Sequence, residues 1–177
     1  MAGEKWEIDV AHSSIGFTVR HMVISKVHGQ FTKWEGQLVL DTEALETSSV
    51  SVRIEVASID TREAQRDTHL ASPDFFDSAK YPQIVFQSSR IEKAGKDALR
   101  VHGALTMHGV TREITLDAEY GGRGKDPWGA ERAAFTARAK LDRTDFGLKW
   151  NQVLEAGGVL VGETIDIALD LQAKRVA

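Results

Sequence analysis

The 177 residues contain no cysteine, which excludes thiolate metal ligands, thiol nucleophiles and disulfides and leaves the redox compartment open. Basic residues are in deficit. The 22 Lys and Arg against 26 Asp and Glu give a formal charge of −4, so there is no cationic footprint for a phosphate backbone and nucleic acid is not an expected partner. No apolar run is long enough to cross a bilayer, and no stable membrane insertion is expected. The opening MAGEKWEIDV carries a charge at its fourth position and no apolar stretch of signal-peptide length, from which a cytoplasmic location is expected, or a periplasmic one where a signal peptide has been removed. The chain also lacks a βαβ rhythm, internal repeats and low-complexity segments, and its length fits one domain spanning residues 1–177.

What is present is alternation, the mark of strands with one wet and one dry face. Ile15, Phe17 and Val19 share a parity after a polar corner at His12 to Ser14. Val27 to Asp41 is long for one strand, and Gly29 and Gly36 sit where a barrel wall needs a kink, a bulge or a close approach. From Ser49 to Ile59 the residues Val50, Val52, Ile54 and Val56 face in. Ile84 and Phe86 resume the pattern, and Leu99, Val101, Gly103, Leu105 and Met107 continue it opposite Arg100, His102, Thr106 and His108. Ile114, Leu116 and Ala118 follow a corner at His108 and Gly109, with Arg112 on the Ile114 parity at the strand end. Gly121 to Gly129 reads as the longest turn-rich loop, with Asp126, Pro127 and Gly129 spaced for a type I turn. Ala133, Phe135, Ala137, Ala139 and Leu141 form an inner face of small residues around one large one, as a tapering or cavity-bearing wall requires. Lys149 to Gly158 is irregular, and Ile165, Ile167, Leu169 and Leu171 make the closing strand.

This pattern gives an all-β fold of about eight antiparallel strands, either a sandwich or a closed barrel. Several strands run past ten residues, as tilted staves do, and about eight of them enclose room for one small ligand, which favours a lipocalin-like barrel.

One stretch breaks the alternation. Between Ser58 and Phe86, the residues Asp60 to Glu63 form a capping box that predicts a helix from about Thr61. Ser72 followed by Pro73 is a second start signal, so the excursion reads as a helix, a break and a shorter turn carrying Phe75 and Phe76. Two adjacent phenylalanines need an apolar destination, and the segment is expected to close one end of the barrel.

The chemical constellations are weak. His102 and His108 share a face but lie about 20 Å apart along a strand, too far to share an ion, and read as solvated. His12, His21 and His69 give no ligand spacing, so no metal is expected. Asp9, His12 and Ser13 or Ser14 lack a nucleophile elbow. Glu63 and Asp67, one helical turn apart, read as a solvent face offset by Arg62 and Arg66. Gly124 and Lys125 lead into Asp126 with no hydroxyl for magnesium, so there is no phosphate loop. A polar cluster remains: Arg66, Asp67 and His69 on the helix, Arg20 on the early strand, and Trp150 with Asn151 in the late loop. It either pins helix to barrel or orients the polar end of an apolar ligand.

The segments AHSSIGFTVRHM, SIDTREAQRDTHLASPDFFDSAKYPQIVF, LTMHGVTREITL and DRTDFGLKWNQVLEAGGVLVGETIDIALDL, in this order over nearly the whole chain, resemble the YceI-like family of polyisoprenoid-binding, lipocalin-like proteins. The resemblance implies an extended barrel with a helix at its side, an elongated apolar tunnel, a homodimer, and no established catalytic residue or cofactor. The ligand it implies is long-chain, apolar or amphiphilic: an isoprenoid, a quinone or a fatty-acid-like molecule.

The expectation is a protein that binds, transports or sequesters such a lipid and is not an enzyme. Its expected contacts are Phe17, Val19, Arg20, Phe31, Val52, Ile54, Asp67, His69, Phe75, Phe76, Ile84, Phe86, Val101, Leu105, Phe135, Trp150, Ile167 and Leu169. The alternatives are a small barrel enzyme acting on a bound lipid through Arg66, Asp67 and His69, and a stress-related interaction module whose barrel is filled by its own side chains.

Overall fold

The computed structural model describes residues 3–155 and 157–176. Eight antiparallel strands form a closed ring: β1 (Glu4–Ile8), β4 (Trp34–Leu40), β5 (Ser49–Glu55), β7 (Gln83–Lys93), β8 (Ala98–Met107), β9 (Val110–Lys125), β10 (Glu131–Asp142) and β11 (Val161–Arg175), which pairs back to β1. Closure leaves the ring without a free edge.

Three further strands, β2 (Ser14–His21), β3 (Ser25–Phe31) and β6 (Ile59–Asp60), extend the sheet from β11. Strand β11 is long enough to serve two neighbours. Its Ala173 to Arg175 pair with β1, while Val161 to Asp170 pair with β2. So β1 and β2 are two segments of one stave, interrupted by a 3-10 turn at Val10–His12 that Asp9 caps by accepting the Ala11 N–H. The expected long strand from Val27 is also broken, between Phe31 and Trp34, giving β3 and β4.

At Gly29 the close approach is real. A Cβ there would lie 2.2 Å from Cζ of Phe17, the cross-strand partner whose ring covers it. The same device recurs at Gly103, under the ring of Phe86.

The helix, α1, spans Ala64–Ala71 and starts later than the capping box predicts. Arg62 adopts a left-handed φ of 66°, held by Asp60 Oδ1, which accepts the Arg62 N–H. The cap passes to Glu63, whose carboxylate accepts from the Gln65 and Arg66 amides. Ser72 closes α1 rather than opening a new helix, its Oγ donating to the His69 carbonyl. The turn beyond it delivers Phe75 and Phe76, as expected.

Three other expectations change. Strand β9 runs on to Lys125 because Gly122, Gly124 and Lys125 pair with β10, so the turn shrinks to Asp126–Ala130. Within it the Gly129 N–H does donate to the Asp126 carbonyl at 3.0 Å, the bond of the expected turn. Val56 leaves the inner face, since β5 ends at Glu55 and Val56 is buried in a 3-10 turn. His102 is not solvated: it bridges Thr115 and Glu92 on the outer wall, its side chain 18% exposed.

The two ends of the barrel differ. At the β1 end, Arg123 bonds Glu4 at 3.0 Å and Glu131 at 2.9 Å, while Arg175 bonds the same two carboxylates at 2.8 and 2.6 Å. Beneath them lies Trp6, fully buried, with the Arg123 guanidinium over its ring. This end is shut by an aromatic plug under an ion-pair lattice. The other end carries α1, the Phe75–Phe76 turn and the loop after β10.

Candidate functional site: an apolar lumen with a cationic mouth

The lumen holds a cavity of about 530 Å³, within the usual range for small-molecule sites. Its walls come from the inward parity of almost every strand. Strand β2 gives Phe17 and Val19, and β3 gives Phe31. Val52 and Ile54 of β5, Ile84 and Phe86 of β7, and Val101 and Leu105 of β8 continue the wall. Phe135 of β10 with Ile167 and Leu169 of β11 complete it. Small residues keep the space open: Ala118 and Ala137 line the lumen where a larger side chain would fill it.

The mouth is roofed by aromatics. Phe76 stands edge-on to Phe31 at 6.2 Å, and Phe75 packs at 5.3 Å from Trp150, which also meets His69 at 4.7 Å. Phe75, Phe76, Trp150 and His69 all border the cavity, as does Arg20.

Asp67 does not. Its Oδ1 accepts the Thr61 N–H at 2.9 Å and the Thr61 hydroxyl at 2.5 Å, which turns the carboxylate away from the lumen to hold the start of α1. The expected cluster therefore divides. Arg66 donates through Nε and Nη2 to Thr61 and still borders the cavity, whereas His69 pairs with Asp74 at 2.9 Å. Asn151 staples the late loop to β11, donating to the Val161 carbonyl and accepting the Val161 N–H.

The residue that organises this end is Arg143, which sequence reasoning missed. It is 4% exposed and gives its hydrogen bonds to four backbone carbonyls: Leu148 at 2.6 Å, Gly162 at 2.8 Å, Trp150 at 3.1 Å and Val161 at 3.2 Å. It also lies over the Phe75 ring, 5.9 Å from its centroid, and lines the cavity. Burial pulls its pKa below the ordinary arginine value, with Glu163 and Asp142 pulling the other way. No local pattern reveals it, because two of its carbonyl partners lie 18 and 19 residues downstream.

The charge distribution is one-sided. Arg20, Arg66 and Arg143 with His21 and His69 border the cavity, and among its described lining residues there is no carboxylate. None of the three arginines enters an ion pair among the described residues. Low-dielectric walls ending in arginines that make no direct ion pair favour an apolar body with an electron-rich end.

A model of the YceI-like domain matches residues 6–173. The chain belongs to the YceI-like family. Within it, a UPF0312 protein of Pseudomonas savastanoi pv. phaseolicola is 41% identical over 138 residues, covering 78% of this chain and 72% of that protein. Among solved structures, Burkholderia cenocepacia BcnA superposes with a TM-score of 0.82 at 25% identity, covering 93% of this chain and 98% of that one. A polyisoprenoid binding domain from Saccharophagus degradans, implicated in plant cell wall breakdown, shares the barrel with a TM-score of 0.71 at 15% identity, covering 97% and 98% of the two chains. The closed eight-strand barrel is the one of the two all-β folds that the alternation favoured, and the sandwich is set aside.

Proposed function

We propose that this protein binds a single long-chain amphiphile of isoprenoid type and carries or sequesters it, with the tail in the lumen and the head at the mouth. The observation that carries this reading is the cavity: about 530 Å³ walled by aliphatic and aromatic side chains, with arginines and no carboxylate. At a liquid-like share of about 30 Å³ per heavy atom, it has room for roughly 18 atoms, three to four isoprene units. Burying that many carbons at about 0.8 kcal/mol each contributes on the order of 14 kcal/mol gross, enough to exceed most of the cost of association.

The cationic mouth supports a head that accepts hydrogen bonds or carries negative charge: a phosphate, a carboxylate or a quinone carbonyl. A binding role, not catalysis, fits a cluster in which Asp67 is committed to Thr61 and His69 to Asp74. The polyisoprenoid binding named for the Saccharophagus degradans domain agrees in kind with this reading.

The test is a titration with a prenyl alcohol and its monophosphate, followed by tryptophan emission, since Trp150 borders the cavity. Saturable quenching is expected, with the phosphate binding tighter. Absence of any spectral change or uptake with either compound would defeat the proposal.

A further inference from the structure

The hairpin between β2 and β3 ends in Met22, Val23 and Ile24, all exposed, Ile24 by 85%. Met22 and Val23 both adopt left-handed φ values, 55° and 66°, where hairpin turns favour Asn or Gly and a β-branched residue is an outlier. Apolar side chains are therefore displayed here against local preference. The tip does not stand alone. The Met22 N–H donates to the Leu160 carbonyl at 2.8 Å, and a Cβ on Gly158 would lie 2.7 Å from Val23 Cγ2. The neighbouring loop, closed by a bridge between Val153 and Val159, adds Val153, which is 79% exposed.

Charge singles out the same hairpin. In a chain of net charge −4, no Asp or Glu occurs from Val10 to Trp34, a stretch that holds Arg20, Lys26 and Lys33 with three histidines. Arg20 and Lys26 are register partners at the base of the tip, and Arg20 Nη1 reaches the Val23 carbonyl at 3.5 Å. Glu155, exposed on the neighbouring loop, and Glu163, exposed on β11 beside the Gly162 that packs on Arg20, work against an anionic surface. Apolar side chains projecting beyond a cationic base match the layering of a bilayer face, acyl chains under anionic headgroups.

We propose that this tip docks the barrel on an anionic lipid surface. The tip adjoins the mouth, since Arg20, His21, Leu160 and Val161 border the cavity. The amphiphile then passes between bilayer and lumen without crossing open water. That transfer rests on the carrier reading above; the docking does not.

The experiment is co-sedimentation of the full chain with phosphatidylcholine vesicles containing about 30% phosphatidylglycerol, against phosphatidylcholine alone, at low and high salt. Wild-type protein sediments with the anionic vesicles at low salt, and salt releases it. Ile24→Asp and Lys26→Glu each reduce partitioning about tenfold or more. Trp128→Ser, at the exposed turn between β9 and β10, leaves it unchanged. Neither Ile24 nor Lys26 borders the cavity, so prenyl phosphate uptake persists in both variants. Wild-type protein that stays in the supernatant, or Ile24→Asp that sediments like it, overturns the proposal. So does a concentration-dependent dimer that Ile24→Asp dissociates, which assigns the tip to a second copy of the chain. Loss of uptake by the wild type would instead sink the carrier reading and leave the docking result standing.

Discussion

Replacing Arg143 with methionine keeps most of the side-chain volume and removes every donor that this side chain brings to the mouth. Four carbonyls, of Leu148, Trp150, Val161 and Gly162, lose the guanidinium at once, and the Val161 carbonyl keeps the Asn151 amide. Each charge-assisted bond contributes about 1.5 to 3 kcal/mol, but they act as one unit, and carbonyls facing the mouth regain water. Breaking a buried charged network typically costs about 3 to 5 kcal/mol, a large share of the roughly 5 to 15 kcal/mol that holds a domain folded. At about 2 to 4 °C per kcal/mol for a domain of this size, Arg143→Met melts roughly 6 to 20 °C below wild type in a calorimetric scan. Arg143→Lys recovers less than half of the difference, because an ammonium cannot span carbonyls that the planar guanidinium bridges. Both variants also loosen the loop carrying Trp150, so a bound amphiphile leaves faster. A melting temperature within about 2 °C of wild type for Arg143→Met would refute the idea that this side chain holds the mouth together.

Gly29→Ala and Gly103→Ala separate two kinds of crowding. At Gly29 the nearest atoms to the new methyl all belong to the Phe17 ring, which swings into the lumen, so uptake falls more than stability; at Gly103 it meets the Gln87 carbonyl at 2.5 Å, and stability falls by about 1 to 3 kcal/mol in urea melts. Phe135→Asp places a charge in the apolar lumen and weakens prenyl phosphate uptake at least about tenfold, whereas Arg112→Ala, at an exposed rim where Nε donates to the Asp145 carbonyl at 3.2 Å, changes it less than about twofold. Equal losses would mean the two faces are reversed. At the closed end, Arg175 and Arg123 hold the Glu131 carboxyl below its ordinary value of 4.5, and Arg132 and His12 hold Asp9 below 3.8. Their folded-state pKa values are depressed, so the stability they contribute is complete above those ordinary values and is lost as pH falls through the folded ones. Denaturant midpoints therefore decline below about pH 4.5, and Glu131→Gln flattens that decline; an unaltered acid limb in the variant would contradict the assignment.

The walls were legible because strand periodicity is a short-range property. Leu99, Val101, Leu105, Ile114, Leu116, Ile165, Ile167 and Leu169 point into the lumen as their parity requires. Arg112 shows the limit of parity. It sits opposite Leu105, on the inward side, yet at the strand end it bends to the Asp145 carbonyl. What failed depended on partners distant in sequence or on single backbone choices. The left-handed φ of Arg62 moved the helix start, and pairing with β10 drew Gly121 to Lys125 into a strand that local composition reads as loop. Asp67 and Arg143 show the same limit from opposite sides. Asp67 reads as a polar site residue and is spent on Thr61, while Arg143, which no local pattern singles out, is the buried clasp of the mouth.

The central claim is that the lumen exists to be filled by a long-chain amphiphile. Native mass spectrometry of the full chain, purified without detergent and then extracted with organic solvent and reloaded, measures this most directly. The expected result is one long-chain amphiphile per barrel, released by extraction and restored in one-to-one ratio by an added prenyl phosphate. Protein that carries no such molecule from cells and takes none up after extraction would contradict the account.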